Sequence, residues 1–254
     1  MPGPVRFSIM TYNVHSCIGN DGKNLPMRIA KIIAGMHPDI VALQELDVGL
    51  TRTGCVDQAE LIAGELDMYF QFHPSLFIQS GRYGNAILSR YPIRPVKAGG
   101  LPSRRKEPRR GALWVEVDLK GRTIQVINTH LGLTPARRRT QSRTLMGPEW
   151  LGSEKCTPPV ILCGDMNATP GSYVHYNFSQ NLTDAQLLLP GNARPRRTWP
   201  SISPFLRVDH VFVSREITVR TCRVPRSMDA RMASDHLPLL VEAQLRDGPV
   251  MTGH

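Results

Sequence analysis

The sequence has no apolar run near the ~20 residues that a membrane-spanning helix requires, so it offers no transmembrane segment. Its opening, MPGPVRFSIM, lacks the charged stretch and apolar core of a secretory signal, and a cytoplasmic protein is expected. Cysteine is scarce: Cys17, Cys55, Cys156, Cys163 and Cys222 form an odd set without CxxC spacing. Reduced thiols are therefore expected rather than a disulfide framework or a thiolate zinc site. No HExxH helix is present to bind zinc by another route. The chain also lacks a P-loop, a GxGxxG behind a strand and a GxSxG elbow. Nucleoside-triphosphate, dinucleotide and serine-hydrolase chemistry therefore have no anchor. Internal repeats, low-complexity tracts and linker-like breaks are absent, which predicts one domain over residues 1–254.

What is present is ordinary in bulk and biased in charge. Hydrophobic residues make up 41% and charged residues 20%, a balance that excludes wholesale disorder. Lys and Arg number 31 against 21 Asp and Glu, giving a net charge of +10. Such an excess favours a polyanionic partner: nucleic acid, an acidic membrane surface or a phosphorylated small molecule.

Hydrophobic patterning predicts a strand over Val5–His15, followed by a helix over Met27–Met36 with Pro26 in its first turn. Asp39–Glu45 reads as a short buried strand ending in charge, and Val56–Leu66 as a second helix. Further strands are expected over Met68–His73, Asn85–Arg90, Ala112–Leu119 and Thr123–Thr129, the last two joined by a turn at Lys120-Gly121. A basic helix covers Thr134–Leu151. Pro159–Cys163 is a buried strand, and Val208–Val213, Ile217–Val224 and Leu237–Leu245 close the pattern. Strands outnumber interspersed helices, which suits two sheets packed face to face with helices outside, an α/β sandwich.

The informative feature is where the polar residues fall. The most apolar strands end in groups that are costly to bury alone: Asn13, Gln44-Glu45, Asn128-Thr129-His130 and Asp165-Met166-Asn167. Asp209 stands near the start of one late strand, and Asp235-His236 precede another. Strand ends on one sheet edge converge, so these side chains are expected to share a cleft. Carboxylates and amides suit a hard cation, Mg²⁺ or Mn²⁺, and magnesium needs only one or two protein carboxylates.

At this point a family resemblance becomes specific. YNVH (12–15), LQELD (43–47), YGNAILSR (83–90), NTHLG (128–132), GDMNATP (164–170), RVDHVFVS (207–214) and SDHLPL (234–239) occur in this order. Together they resemble the endonuclease/exonuclease/phosphatase superfamily, which includes pancreatic-type deoxyribonucleases, apurinic endonucleases, neutral sphingomyelinases and inositol polyphosphate phosphatases. The resemblance implies a four-layer α/β sandwich of two mainly antiparallel mixed sheets flanked by helices. It implies metal binding by Glu45, with Asn13 beside it and Asp235 as an additional acidic group. It implies that Asp165 and Asn167 orient the attacking water, that His236 is the catalytic histidine held by Asp209, and that His130 is a second active-site histidine. Tyr83 and Asn85 fall where members place phosphate-contacting groups. The ETK-type lysine motif of apurinic endonucleases is absent, since Glu45 is followed by Leu46-Asp47, which argues against abasic-site repair.

Each residue has a plainer reading when taken singly. Asn13 would be a strand-end cap, Asp165–Asn167 an ordinary turn, His130 a structural histidine and Asp209 the partner of a buried arginine. Their joint occurrence in this order favours the active site. By strand alternation, His15 and His210 are expected to turn away from it. Arg104, Arg105, Arg109 and Arg110, and Arg137–Arg139 with Arg143, read as solvated faces, whereas Arg194, Arg196 and Arg197 precede Asp209 closely enough to rim the cleft. The expected activity is a Mg²⁺-dependent phosphodiesterase acting on nucleic acid. The alternatives are a sphingomyelinase-like or phospholipase C-like enzyme acting on an acidic lipid headgroup, or a phosphatase. Only Pro204-Phe205-Leu206 suggests an apolar docking loop for the lipid reading.

Overall fold

The apolar runs pair into two six-stranded sheets, each with one parallel pair near its middle. A computed structural model describes residues 4–78, 81–103, 108–189 and 195–246; Arg104, Arg105 and Arg194 lie outside them. The chain begins one sheet with β1 (Arg6–Asn13), β2 (Ile40–Val48), β3 (Tyr69–Ile78) and β4 (Gly81–Ser89). It crosses to the other for β5 (Ile93–Leu101), β6 (Arg110–Leu119), β7 (Arg122–His130), β8 (Val160–Asp165), β9 (Thr183–Asp184) and β10 (Asp209–Val213). It then returns to the first with β11 (Ile217–Arg223) and β12 (Leu239–Leu245). The strand orders are β11-β12-β1-β2-β4-β3 and β5-β6-β7-β8-β10-β9.

Alternation along each strand sorts the apolar side chains into three cores. Ile9, Ile40, Ala42, Ile87 and Val241 of the first sheet meet Val115, Val126, Ile161 and Val211 of the second. The opposite face of the first sheet, through Met10, Tyr12, Val41 and Leu43, packs on α1 (Pro26–Met36) and α2 (Gln58–Leu66). The outer face of the second, through Trp114, Ile127, Leu162 and Phe212, packs on α3 (Pro135–Met146) and α4 (Tyr173–Phe178). Strands covered on both faces read as continuous apolar runs rather than alternating ones. A short helix, α5 (Met228–Ala233), precedes β12. The result is the four-layer α/β sandwich.

Two buried amides tie the sheets together beneath the strand ends. Gln44 Nε2 donates to Asn128 Oδ1 at 2.8 Å, and Asn128 Nδ2 donates to the Leu43 and Ala86 carbonyls, each at 2.8 Å.

The structure departs from the sequence reading at several elements; β3 runs on to Ile78 rather than His73, and β4 starts at Gly81 rather than Asn85. β2 does not end at Glu45: a bulge between Leu43 and Leu46 lets it continue to Val48. The basic helix ends at Met146 rather than Leu151, because Pro148 forces Gly147 into an extended conformation (ψ 177°). β5 was not expected; it is an edge strand, where Pro95 is tolerated beside a bulge. Finally, α4 and α5 are six residues each, too short for helical periodicity to register.

Candidate active site

The two parallel strand pairs determine where chemistry can gather. Asn13 ends β1 and Glu45 lies toward the end of β2, while His130 ends β7 and Asp165 ends β8. β10 runs antiparallel to β8 and starts at Asp209, opposite Asp165, and His130 is paired with Asp165 from the other side. His130, Asp165 and Asp209 thus stand in one row across three strands of the second sheet. The first sheet supplies Asn13 and Glu45, and the approach to β12 supplies His236.

Unusual backbone holds these groups in place. Glu45 has φ 63° inside the β2 bulge, and Asn167 has φ 47° in the turn after β8. Both are costly conformations for side-chain-bearing residues, and such strain concentrates at functional sites. Gly164, with φ 138°, precedes Asp165, and a Cβ there would lie 1.8 Å from the Thr129 carbonyl oxygen. Only glycine lets β7 and β8 approach this closely.

The side chains converge. Asn13 Nδ2 donates to Glu45 Oε1 at 3.1 Å and to Asp165 Oδ2 at 3.0 Å, so one amide bridges the carboxylates of the two sheets. Asp165 Oδ1 accepts from the Asn167 backbone N–H at 2.8 Å. His236 Nδ1 lies 2.9 Å from Asp209 Oδ2, and its Nε2 is 3.7 Å from Asp165 Oδ2. His130 Nε2 lies 3.3 Å from Asp165 Oδ2 and 3.0 Å from Asn167 Nδ2. Its Nδ1 faces Arg110 Nη1 at 3.1 Å.

Burial sets the protonation states apart. His236 is desolvated, which disfavours its charge, but Asp209 and Asp165 overcome this and push its pKa up to about 10. His130 is held well below the ordinary imidazole value by burial, with Arg110 and His236 adding repulsion. At neutral pH, one histidine is therefore a cation and the other is neutral. Burial also pushes the Asp165 carboxyl up to about 6, against the pull of His236 and with Asp209 reinforcing the rise.

The remaining expected residues lie around this centre. Tyr83 lines a cleft of about 270 Å³ together with Glu45, Arg52, Arg110 and His15. Asp235 is partly exposed beside the centre, with Oδ1 4.0 Å from His15 Nδ1 and Oδ2 accepting from Trp199 Nε1 at 3.4 Å. Asn85 is buried and donates to the Gly111 carbonyl at 3.2 Å; the structure does not bring it against the carboxylates.

Sequence reasoning missed or misplaced several residues around this centre. His15 does not turn away, because β1 stops at Asn13 and His15 starts a short left-handed stretch (φ 48°) where alternation no longer applies. His210 does turn away, with Nε2 2.8 Å from the Ala168 carbonyl oxygen and Nδ1 3.3 Å from Asp184 Oδ2. Arg110 and Arg137 are buried rather than solvated, and Arg138 is half-buried within electrostatic reach of Asp165. Thr198 donates to Asp209 Oδ2 at 2.5 Å, the oxygen that also faces His236. The readable signal for Arg110 was register: it starts the strand that pairs with β7, at the end where His130 lies. Arg196 and Arg197 do not line the cleft of Glu45 and Tyr83 but a neighbouring cavity with Arg207 and Arg226.

The donor set fits a divalent cation. Glu45 and Asp165 bring two carboxylates onto a single amide nitrogen, and like charges this close favour a cation between or beside them. The donors are hard oxygens, and Asp209 Oδ1 is buried without a hydrogen-bond partner among the described residues. Asp165, Asp209 and His236 can also point one ligand atom each into a common space. A second cluster of that kind, His175, Asp184 and His210, is instead clamped by Arg207, whose Nη2 donates to Asp184 Oδ2 at 2.5 Å.

Comparison with known proteins identifies the family. A family model described as the Endonuclease/Exonuclease/phosphatase family matches residues 10–236. The uncharacterized protein YbhP of Escherichia coli is 27% identical, over 94% of this chain and 96% of its own length. Exodeoxyribonuclease III of Haemophilus influenzae is 20% identical, over 85% of this chain and 94% of its own. The solved structure of the Bacteroides thetaiotaomicron mannosyl-6-phosphatase Bt3783 superposes with a TM-score of 0.74 at 21% identity, over 93% of this chain and 99% of that one. The family's members are hydrolytic enzymes acting on phosphoesters. With its matching span, its two-sheet sandwich and its convergent acidic and histidine groups, this chain belongs to the endonuclease/exonuclease/phosphatase family.

Proposed function

We propose that this protein is a Mg²⁺-dependent phosphodiesterase that cleaves polynucleotides by attack of water. The observation that carries the reading is the meeting of Glu45 and Asp165 on Asn13, with the Asp209–His236 pair beside them. Glu45, bonded by Asn13, would hold the ion, with Asp235 as a further acidic group at the edge of the centre, and Mn²⁺ suits the same donors. Bound there, a divalent ion neutralises charge developing on the phosphate oxygens.

The protein's own groups divide the remaining work. Asp165, fixed by the Asn167 N–H, orients the water and takes its proton, a task for which a raised pKa makes it a stronger base than an ordinary carboxylate. Asp209 and Asp165 favour the protonated form of His236, so it is assigned to donate from Nε2 to the pentavalent phosphorus centre's oxygens while Asp209 holds Nδ1. Neutral His130 supports Asp165 and Asn167 from the next strand. Tyr83 faces the substrate from the cleft wall, and Asn85 acts from beneath it by fixing Gly111 next to Arg110. The net charge of +10 and the half-buried Arg138 near Asp165 support a polyanionic substrate.

The test is a metal-dependent turnover panel of plasmid DNA, single-stranded DNA, RNA, sphingomyelin, phosphatidylinositol and inositol phosphates. Chelation should abolish activity and Mg²⁺ restore it, and Glu45→Ala and His236→Ala should each lose turnover by at least about 100-fold while staying folded. Undiminished activity in purified His236→Ala would defeat this mechanism. One observation favours a lipid headgroup instead: Phe205 is 58% exposed on the loop that lays Trp199 against His236. That reading requires turnover of sphingomyelin vesicles that drops in Phe205→Ser.

A further inference from the structure

Beyond the catalytic centre lies a cavity of about 610 Å³ lined by Pro195, Arg196, Arg197, Arg207 and Arg226. Its four guanidinium groups have few negative partners. Arg207 is buried, with a side chain 9% exposed; its Nη2 binds Asp184, and its Nε is buried with no partner. Among the described residues, Arg196, Arg197 and Arg226 have no acidic partner. Asp184 also lies 3.0 Å from His175 and 3.3 Å from His210, so this one carboxylate is shared among three partners. Like charges gathered around one space repel unless an anion joins them. Arginine forks suit phosphate oxygens bidentately.

The cavity adjoins the reaction centre through two short connections. Thr198, the next residue after Arg197, holds Asp209 by its hydroxyl. Arg207 lies two residues before Asp209, a distance of at most about 7 Å along extended chain. The volume lies in the range of small-molecule sites, which exceeds what a lone phosphate fills.

We propose that this arginine cavity binds a second phosphate group of the substrate, flanking the one that is cleaved. The assignment rests on the phosphohydrolase reading above. The phosphate belongs either to the neighbouring nucleotide of a strand or to another position of a small polyphosphorylated molecule; the recognition chemistry is the same. Arg196 and Arg226 are exposed, and among the described residues neither side chain holds another group in place, so Arg196→Ser/Arg226→Ser should melt like the parent.

The experiment has a binding arm and a turnover arm. Calorimetric titration of the metal-free protein with inorganic pyrophosphate should find a site whose affinity falls about tenfold or more in the double variant, the loss expected for a charge-assisted contact. It should be unchanged in Asp165→Asn. No binding by the parent, equal affinity in the parent and double variant, or loss in Asp165→Asn alone would overturn the site. In turnover, the double variant should raise KM about tenfold for a substrate with two or more phosphates, leaving kcat and the KM for bis(p-nitrophenyl) phosphate unchanged. A rise for a short oligonucleotide alone identifies the strand, and a rise for an inositol bisphosphate alone identifies the small molecule. Equal KM values for all three substrates would overturn the substrate assignment. If none of the three were hydrolysed, the phosphohydrolase reading would fail, and the pyrophosphate titration would still decide whether the cavity binds phosphate.

Discussion

Glu45 is held at φ 63° with its carboxylate one amide away from Asp165. A left-handed backbone costs a side-chain-bearing residue about 1 kcal/mol or more relative to glycine. Glu45→Gly should therefore be more stable than Glu45→Ala by about 1 kcal/mol, while both lose metal-dependent turnover. Chemical denaturation of the two purified variants checks the difference, and equal midpoints would remove the strain argument. The pH response belongs to the residue scale as well. His236 has a folded pKa of about 10, above an unfolded value of about 6.5. Its contribution is fully present below the unfolded value and is lost as pH rises toward the folded one. The metal-free protein should lose stability steadily from about pH 7 to pH 10, and His236→Gln should flatten that slope in urea titrations. Asp165, with its carboxyl raised to about 6, acts in a separate and lower window, reducing stability as pH climbs from about 4 to 6.

Among the elements, the β7–β8 pair depends on a glycine for its close approach. Gly164→Ala places a methyl 1.8 Å from the Thr129 carbonyl oxygen in a backbone region that alanine avoids. It should destabilise the fold by about 3 kcal/mol or more and pull Asp165 out of line with His130. Thermal unfolding together with activity measures both effects, and near-parental values would show that the strands can part without loss. The legibility of the sequence varied at this scale for physical reasons. Asn13, His130, Asp165 and Asp209 were readable because each interrupts or bounds an apolar run, which polar residues do only at a price. Glu45 was readable as a residue but not in its setting, since a bulge leaves no mark in hydropathy. β5 was hidden because Pro95, Lys97 and the Gly99-Gly100 pair all oppose strand propensity, and only its edge position makes them acceptable. Thr198 and Arg110 were hidden because their roles depend on partners that lie far away in sequence or across a strand pair.

For the molecule as a whole, charge and topology matter most. With a net charge of +10, affinity for a polynucleotide should fall steeply with added salt, losing about tenfold or more between 50 and 200 mM KCl if several phosphates are contacted. Fluorescence anisotropy with a labelled single strand and a catalytically dead variant gives the slope; a flat response would shift the substrate toward lipid or small molecules. The family resemblance correctly implied the four-layer sandwich, yet it left unseen how the site is divided between the layers. Asn13 and Glu45 come from the first sheet, and His130, Asp165 and Asp209 from the second, with Gln44 and Asn128 tying the two together.

β12 pairs directly with β1, although the whole second sheet lies between them in the chain. On the ribosome, Asn13, Glu45 and Asp165 therefore emerge well before the strand that completes the first sheet and before His236 just ahead of it. On the proposed reading, the groups assigned to metal and water are synthesised well before the histidine that acts with them. Under the proposed mechanism, hydrolysis could begin only after His236 and β12 had been synthesised.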